Sequence, residues 1–154
     1  MSALPPFQVL LDSYKDDVHR FLTGLVGPVD ADDCFQETFL AALRAYPSLG
    51  NARNLRSWLL TIAHRKAIDR ARARRPAAPL DDAPHPAQAQ PSEPDPALWA
   101  EVAALPGKQR AAVVLRFVND MAYRDIGAVL DCSEEAARRS THEGVKRLRE
   151  VIRR

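Results

Sequence analysis

MAYRDIGAVLDCSEEAARRSTHEGVKRLREVIRR, residues 121–154, reads as two helices meeting at a sharp turn, the second studded with cations. Ala122, Ile126, Val129 and Leu130 mark one face of a short first helix. Asp131-Cys132-Ser133 interrupts it where the Ser133 hydroxyl can cap the start of a second helix. Within that helix Ala137, Thr141, Val145, Leu148 and Ile152 recur at spacings of three and four, while Arg138, Arg139, His142, Lys146 and Arg149 fall largely off the stripe. The stripe predicts the face that is held down and leaves the cations outward. A helix anchored in this way fits the major groove of B-DNA, where Arg can bond guanine through two hydrogen bonds and Lys can meet phosphate. A basic amphipathic helix on its own is more often a solvated face. The preceding helix and turn weigh towards helix-turn-helix DNA binding.

Working towards the N-terminus, Gly is scarce, β-branched residues do not alternate, and Ala, Leu and Arg dominate, which predicts an all-α chain. Phe7, Leu10, Leu11, Tyr14, Val18, Phe21, Leu22 and Leu25 step by three and four to give a first helix that stops at Gly27-Pro28. A second is expected after Asp30 as N-cap, running to about Tyr46 with Phe35, Phe39, Ala42, Leu43 and Tyr46 inward. A third, capped by Asn54, packs through Leu55, Trp58, Leu59 and Ile62 before turning cationic up to Arg75. These three bundle into a first domain, residues 1–75. Residues 97–154 form a second helical domain. It has a helix around 97–104, a break at Leu105-Pro106-Gly107, a helix from Lys108 to Val118 with Val113, Val114 and Phe117 inward, and then the helix-turn-helix.

Residues 76–96 hold seven of the chain's twelve prolines, four acids and almost no large apolar side chain, so they read as a flexible linker. Extended like polyproline at about 3.1 Å per residue, the linker could span roughly 65 Å, close to two turns of duplex DNA. The net charge of +2 hides a pattern: eleven cations against eight acids in residues 1–75, none against four in 76–98, and eleven against eight in 99–154. Two basic blocks flank an acidic connector, an arrangement suited to an anionic polymer.

Cys34 and Cys132 are the only cysteines, far apart in sequence and without a His or Cys at metal-ligand spacing. They are expected to be buried free thiols, as in a reducing cytoplasm, with no metal and no cofactor. No signal peptide and no membrane span is legible, so a cytoplasmic protein without membrane insertion is expected. There is no Gly-rich phosphate loop and no convergent Ser/Cys-His-acid set, which argues against an enzyme.

Asp-Asp-Cys-Phe-Gln-Glu-Thr-Phe (32–39), Leu-Arg-Ser-Trp-Leu-Leu-Thr-Ile-Ala (55–63), Leu-Pro-Gly-Lys-Gln-Arg (105–110) and the helix-turn-helix, in that order and spacing, resemble regions 2 and 4 of the bacterial extracytoplasmic-function sigma factors of the sigma-70 superfamily. The resemblance implies a dissociable subunit of RNA polymerase that directs promoter-specific initiation. By that resemblance Asp33, Gln36, Glu37 and Phe39 would dock on the core enzyme, with its beta-prime and beta subunits as partners. At helical spacing the two carboxylates and the amide lie together, ready for cations on a partner helix. Without the resemblance Asp32 and Asp33 would read simply as favouring the start of their helix; with it the docking role is preferred. The third helix and the loop before it would read the minus-10 element. Gly50, Asn51, Ala52 and Arg53 would stand where a flipped base is captured, and Arg56, His64, Arg65, Lys66 and Arg70 would hold backbone. Trp58 could stack on a base, although its spacing favours the core. His64-Arg65 replaces the Arg-Asn of many members.

The helix after Ser133 would read the minus-35 element through Ser133, Glu134, Arg138, Arg139 and His142, with Arg124 and Lys146 on phosphates. Asp131 takes the glycine position of the turn, tolerable because Asp can adopt left-handed dihedrals. Ser140 and Glu143 stand where several members carry Arg, and Gly144 weakens the middle of the helix relative to Ala. An anti-sigma factor is a candidate partner, and the linker acids Asp81, Asp82, Glu93 and Asp95 would suit a cationic RNA channel. The rival reading is a conventional helix-turn-helix regulator that acts without polymerase, which leaves the basic end of the first domain and its acidic cluster unexplained.

Overall fold

A computed structural model of the chain describes residues 4–51, 53–74 and 96–152, and every regular element among them is helical. The expected linker, apart from Pro96, lies outside the described residues, with Ala52, Arg75 and the four linker acids. α1 spans Phe7–Ala45 but is two arms joined at Gly27, whose φ of 84° and ψ of 167° leave the helical region. That φ is open to glycine at no cost, and Pro28, with φ pre-set and no N–H to lose, starts the second arm. The second arm therefore begins ahead of Asp30. Asp30 is not a cap: it is buried, with its carboxylate 3.5 Å from Arg70 Nε.

A short 3₁₀ turn over Tyr46–Ser48 leads through the loop to α2, Leu55–Arg74. Asn54 caps α2 as expected, its Oδ1 accepting the Ser57 N–H at 3.3 Å, and it does so at a φ of 52°. Leu10, Val18, Phe21, Leu22, Leu25 and Val26 from the first arm, Ala31, Cys34, Phe39 and Ala42 from the second, and Leu55, Leu59, Leu60, Ala63 and Ala67 from α2 close the first core. Leu43, expected inward, is 51% exposed.

The second group comprises α3 (Pro96–Ala103), α4 (Gly107–Val113), a π-type turn (Val114–Val118), α5 (Tyr123–Leu130) and α6 (Glu134–Ile152). The π-type turn replaces the last turn of the single helix expected over 108–118. Its wider winding shifts the register, so that Val113, Val114 and Leu115 are buried while Phe117, expected inward, is 64% exposed. α5 and α6 meet as the sequence predicts. Asp131 ends α5 in the left-handed conformation at φ 56°, and the Ser133 hydroxyl accepts the Ala136 N–H at 3.0 Å. Ile126 and Val129 of α5 and Ala137, Thr141 and Leu148 of α6 are buried; Ile152 is exposed. Cys34 is buried, whereas Cys132, expected buried, is exposed because the turn projects it away from both helices.

Gly144 is not a weak point left in α6. A Cβ there would stand 2.6 Å from Val113 Cγ2 and 3.4 Å from the Gln109 carbonyl oxygen, so α4 crosses α6 where only glycine fits. Valine is stiff at χ1 and cannot swing clear. Gly144→Ala, favourable by about 1 kcal/mol on helix propensity alone, is therefore expected to destabilise the second group by about 1 to 3 kcal/mol of overpacking. Thermal unfolding of the two proteins followed by circular dichroism measures the sign.

The two groups of helices share one continuous core. Trp99 and Val114 sit over Gly24 of α1, and the buried Arg110 guanidinium donates to the carbonyls of Leu105 (2.8 Å) and Leu25 (3.5 Å), joining α4 to α1.

Candidate functional site

Along the second arm of α1, Asp33, Gln36, Glu37 and Leu40 succeed one another at spacings of three and four, and all four are exposed. Asp33 is not a lone carboxylate: its Oδ2 accepts from Arg70 Nη2 at 2.5 Å, and Arg70 is clamped between it and Asp30. Arg70, expected on the DNA backbone, thus spends its guanidinium tying α2 to α1. Phe39 is 8% exposed and packs on Phe35 (ring centroids 4.8 Å apart) and Phe7 (6.5 Å), supporting the stripe from beneath. Leu40 and Leu43, 53% and 51% exposed, extend the stripe by one turn with apolar area. Leu43, expected in the core, and Leu40, for which no role is expected from the sequence, both follow from the three-and-four spacing that starts at Asp33.

In the loop before α2, Asn51 Oδ1 accepts the Arg53 N–H at 2.8 Å, and both residues are exposed, as is Gly50. Trp58 is half-buried with its ring 6.1 Å from that of Tyr46, which is the packing role. His64 is half-buried, 6.4 Å from the Phe21 ring; Arg65 is exposed; Lys66 is half-buried, and its carbonyl accepts the Cys34 thiol at 3.9 Å. Burial pushes that thiol up to about 11, against the pull of Arg70, so it stays protonated. Arg56 is half-buried and already paired. Its Nε donates to Asp17 Oδ2 at 2.5 Å, its Nη2 to Asp17 Oδ1 at 3.1 Å, and Nη2 also donates to the Asn119 carbonyl. Asn119, 2% exposed, returns two bonds from Nδ2, to the Asp17 carbonyl (2.9 Å) and to Oδ1 (2.8 Å). Burial acts to raise the Asp17 carboxyl, but its bonds to Arg56 and Asn119 and the charges of Arg56 and Arg20 outweigh it, holding the group below the usual carboxylate range. Nothing in the sequence could pair positions 17, 56 and 119; only the fold does.

In the second group α6 presents Arg138, Arg139, His142 and Lys146, all exposed, with Arg124 exposed on α5. Tyr123 is the hub the sequence reading missed. The guanidinium of Arg116 lies 4.4 Å from its ring centre, that of Arg138 lies 5.0 Å away, and His142 meets it edge-on at 6.2 Å. Glu134 lies 3.6 Å from Arg138 one turn along, so this acid orients a cation as well as facing outward. Ser133 spends its hydroxyl on the cap. The result is a basic helix whose Arg138 is held by Tyr123 and Glu134, with Arg116 of the π-type turn on the same ring, a charge pattern that suits a nucleic-acid groove.

Among the described residues no helix is long and apolar enough to cross a membrane. Residues 10–76 match the family model for Sigma-70 region 2, and residues 96–148 match that for Sigma-70 region 4. The chain is 32% identical to the RNA polymerase sigma factor CarQ of Myxococcus xanthus, covering 95% of this chain and 88% of that protein. It is 27% identical to the extracytoplasmic-function sigma factor SigW of Bacillus subtilis, covering 96% and 89%. Its fold is similar to that of the sigma factor RpoE of Bartonella quintana, solved in complex with the anti-sigma factor NepR, with a TM-score of 0.78 at 23% identity over 96% of both chains. With both region models matched and a curated relative covered almost end to end, this chain belongs to the extracytoplasmic-function RNA polymerase sigma factors, which are initiation factors and not enzymes.

Proposed function

We propose that this chain docks on core RNA polymerase through the stripe Asp33, Gln36, Glu37, Leu40 and Leu43, reads a minus-10 element with the loop around Asn51 and Arg53 and the start of α2, and reads a minus-35 element with α6. The observation that carries the reading is the pairing of an exposed acidic and apolar stripe on one module with an ordered basic recognition helix on the other. A partner that meets the stripe would supply cations and an apolar patch, as one helix of the polymerase beta-prime subunit could. Arg139 and His142 are the base-reading candidates, Arg124 and Lys146 the phosphate ones, and Arg138 is positioned by Tyr123 and Glu134. Support for an anti-sigma partner comes from the RpoE neighbour, which was solved with one.

The deciding experiment is in vitro transcription with core polymerase on a library of random upstream sequences. Enrichment of two spaced elements in the transcripts supports the proposal; duplex binding without any transcript would favour a conventional regulator. Two variants test the residues. Glu37→Ala is expected to weaken core binding roughly fivefold, a loss of about 1 kcal/mol, with unchanged melting, since Glu37 is exposed. Arg139→Ala is expected to cost about 1 to 3 kcal/mol at the preferred minus-35 sequence and to relax preference at one position if it bonds a base. A uniform loss over all sequences, read by competition binding, would instead make it a phosphate contact.

A further inference from the structure

Two acids of α6 are held in different ways. Glu134 lies 3.6 Å from the Arg138 guanidinium one turn along, which offsets its charge. Glu143 is exposed, four residues after Arg139 and three before Lys146, yet among the described residues it forms no ion pair. A neutral group from another helix holds it instead: Gln109 Nε2 of α4 donates to Glu143 Oε2 at 3.4 Å. Gln109 is rooted where α4 crosses α6. A Cβ on Gly144 would stand 3.4 Å from the Gln109 carbonyl oxygen and 3.5 Å from its Cβ, so the backbone is fixed on both sides of the bond. The amide is fixed as well. Its Oε1 is buried with no donor among the described residues, and it cannot change places with Nε2, because a carboxylate accepts and does not donate. Glu143 therefore keeps its full charge and has Oε1 uncommitted, at a set place on the basic helix.

A carboxylate carried into a major groove is repelled by phosphates and by base edges that offer acceptors. Guanine presents N7 and O6, thymine O4 beside its methyl group, and adenine sets N7 next to its amine. Cytosine alone offers a donor, the N4 amine, with no acceptor beside it. We propose that Glu143 is a specificity-determining residue of the minus-35 reading, its Oε1 accepting from the N4 amine of one cytosine, and that Gln109 is the positioning residue that holds the carboxylate there. The proposal rests on the assignment of α6 to the minus-35 element made above. Because Gln109 is neutral, it orients Glu143 without cancelling the charge. Guanine and thymine at that base pair are rejected by the same charge that selects cytosine. Four residues advance a helix by about 6 Å and base pairs lie about 3.4 Å apart, so this cytosine stands within about two base pairs of the one that Arg139 meets.

The test is selection from duplexes randomised across the minus-35 element, by the full chain alone and bound to core polymerase, with relative affinities measured by competition. The parent should prefer cytosine at one position by about tenfold over guanine or thymine. Glu143→Gln should move that preference to adenine, whose N6 and N7 an amide bonds together, and leave the other positions as they were. Glu143→Ala should flatten it. Both variants should melt as the parent does, since Glu143 is exposed. Gln109→Leu, close in volume but without a donor, should lessen the cytosine preference about threefold at that position alone; a residue that only props the helix would alter every position alike. Glu143→Gln binding all sequences more tightly, with preferences unchanged, would make the carboxylate a mere repellent of the backbone and overturn the proposal. A Gln109→Leu protein with the parent's preferences overturns the positioning role. A parent that selects other bases but no cytosine overturns the inference and leaves the function proposed above standing. A parent that selects no sequence, alone or with polymerase, rejects the reading of α6 on which both rest.

Discussion

Asp17→Ala is expected to lower the stability of the chain by about 2 kcal/mol, and the melting temperature by roughly 4–8 °C. The carboxylate is 9% exposed and accepts from Arg56 twice and from Asn119 once. Its removal leaves a half-buried guanidinium with one carbonyl acceptor and a buried amide that has lost one of its two bonds. A full buried ion-pair break would cost more, but the Arg56 side chain is 32% exposed and water relieves part of the loss. Asp17 also predicts a pH dependence. Its carboxyl titrates lower in the folded chain than in the unfolded one, so the unfolded state binds the proton first and the contribution is fully present above the ordinary carboxylate value. It is lost as pH falls through the lowered folded value. Urea unfolding of parent and variant should therefore differ by a constant amount from pH 5 to 8 and converge only in strong acid. A difference that vanished near neutral pH would mean that Asp17 is not held as the ion-pair geometry requires.

Gly127→Ala carries the second large effect. A Cβ on Gly127 would stand 2.6 Å from the Cys132 carbonyl oxygen and 3.2 Å from the carbonyl carbon and oxygen of Ser133. These are backbone atoms of the turn, pinned by the Cys132 N–H bond to the Gly127 carbonyl (2.9 Å) and by the left-handed Asp131. A side chain at 127 cannot be accommodated by a rotamer change, so α5 and α6 must separate. A cost of about 2 to 4 kcal/mol is expected, at the upper end of overpacking because no flexible group can yield. The second module should lose its cooperative melting, and minus-35 duplex affinity should fall with it, while the α1–α2 helices keep theirs. Amide hydrogen exchange resolved by segment would show that division. Uniform protection in the variant would refute the turn's dependence on this glycine.

Both glycines illustrate what periodicity cannot see. Helix propensity weighs Gly144 within one helix and gives no sign of Gly127, because the close approach belongs to two. The same limit explains Phe117, placed inward by a regular helical count and turned outward by the π-type winding. It explains Leu43 as well: a stripe counted on one helix does not say where its partner stops. The resemblance assigns Arg56 and Arg70 to the DNA backbone, but the acids that hold them, 39 and 37 residues away in sequence, are brought to them only by the fold.

The amino-acid order by itself determined the all-helical class, the caps at Asn54 and Ser133, the break at Gly27-Pro28 and the left-handed Asp131, because each follows from local dihedral preference and hydrogen bonding within a few residues. It also carried the family, through motifs whose order survives without any contact between them. Tertiary structure alone decided which charges are spent inside the protein and which remain to bind, how closely α4 and α6 cross, and that the second module closes over the first. Those outcomes depend on distances between residues remote in the chain, and an ion pair, a buried amide or a missing Cβ acquires its energy only when packing brings the partner within reach.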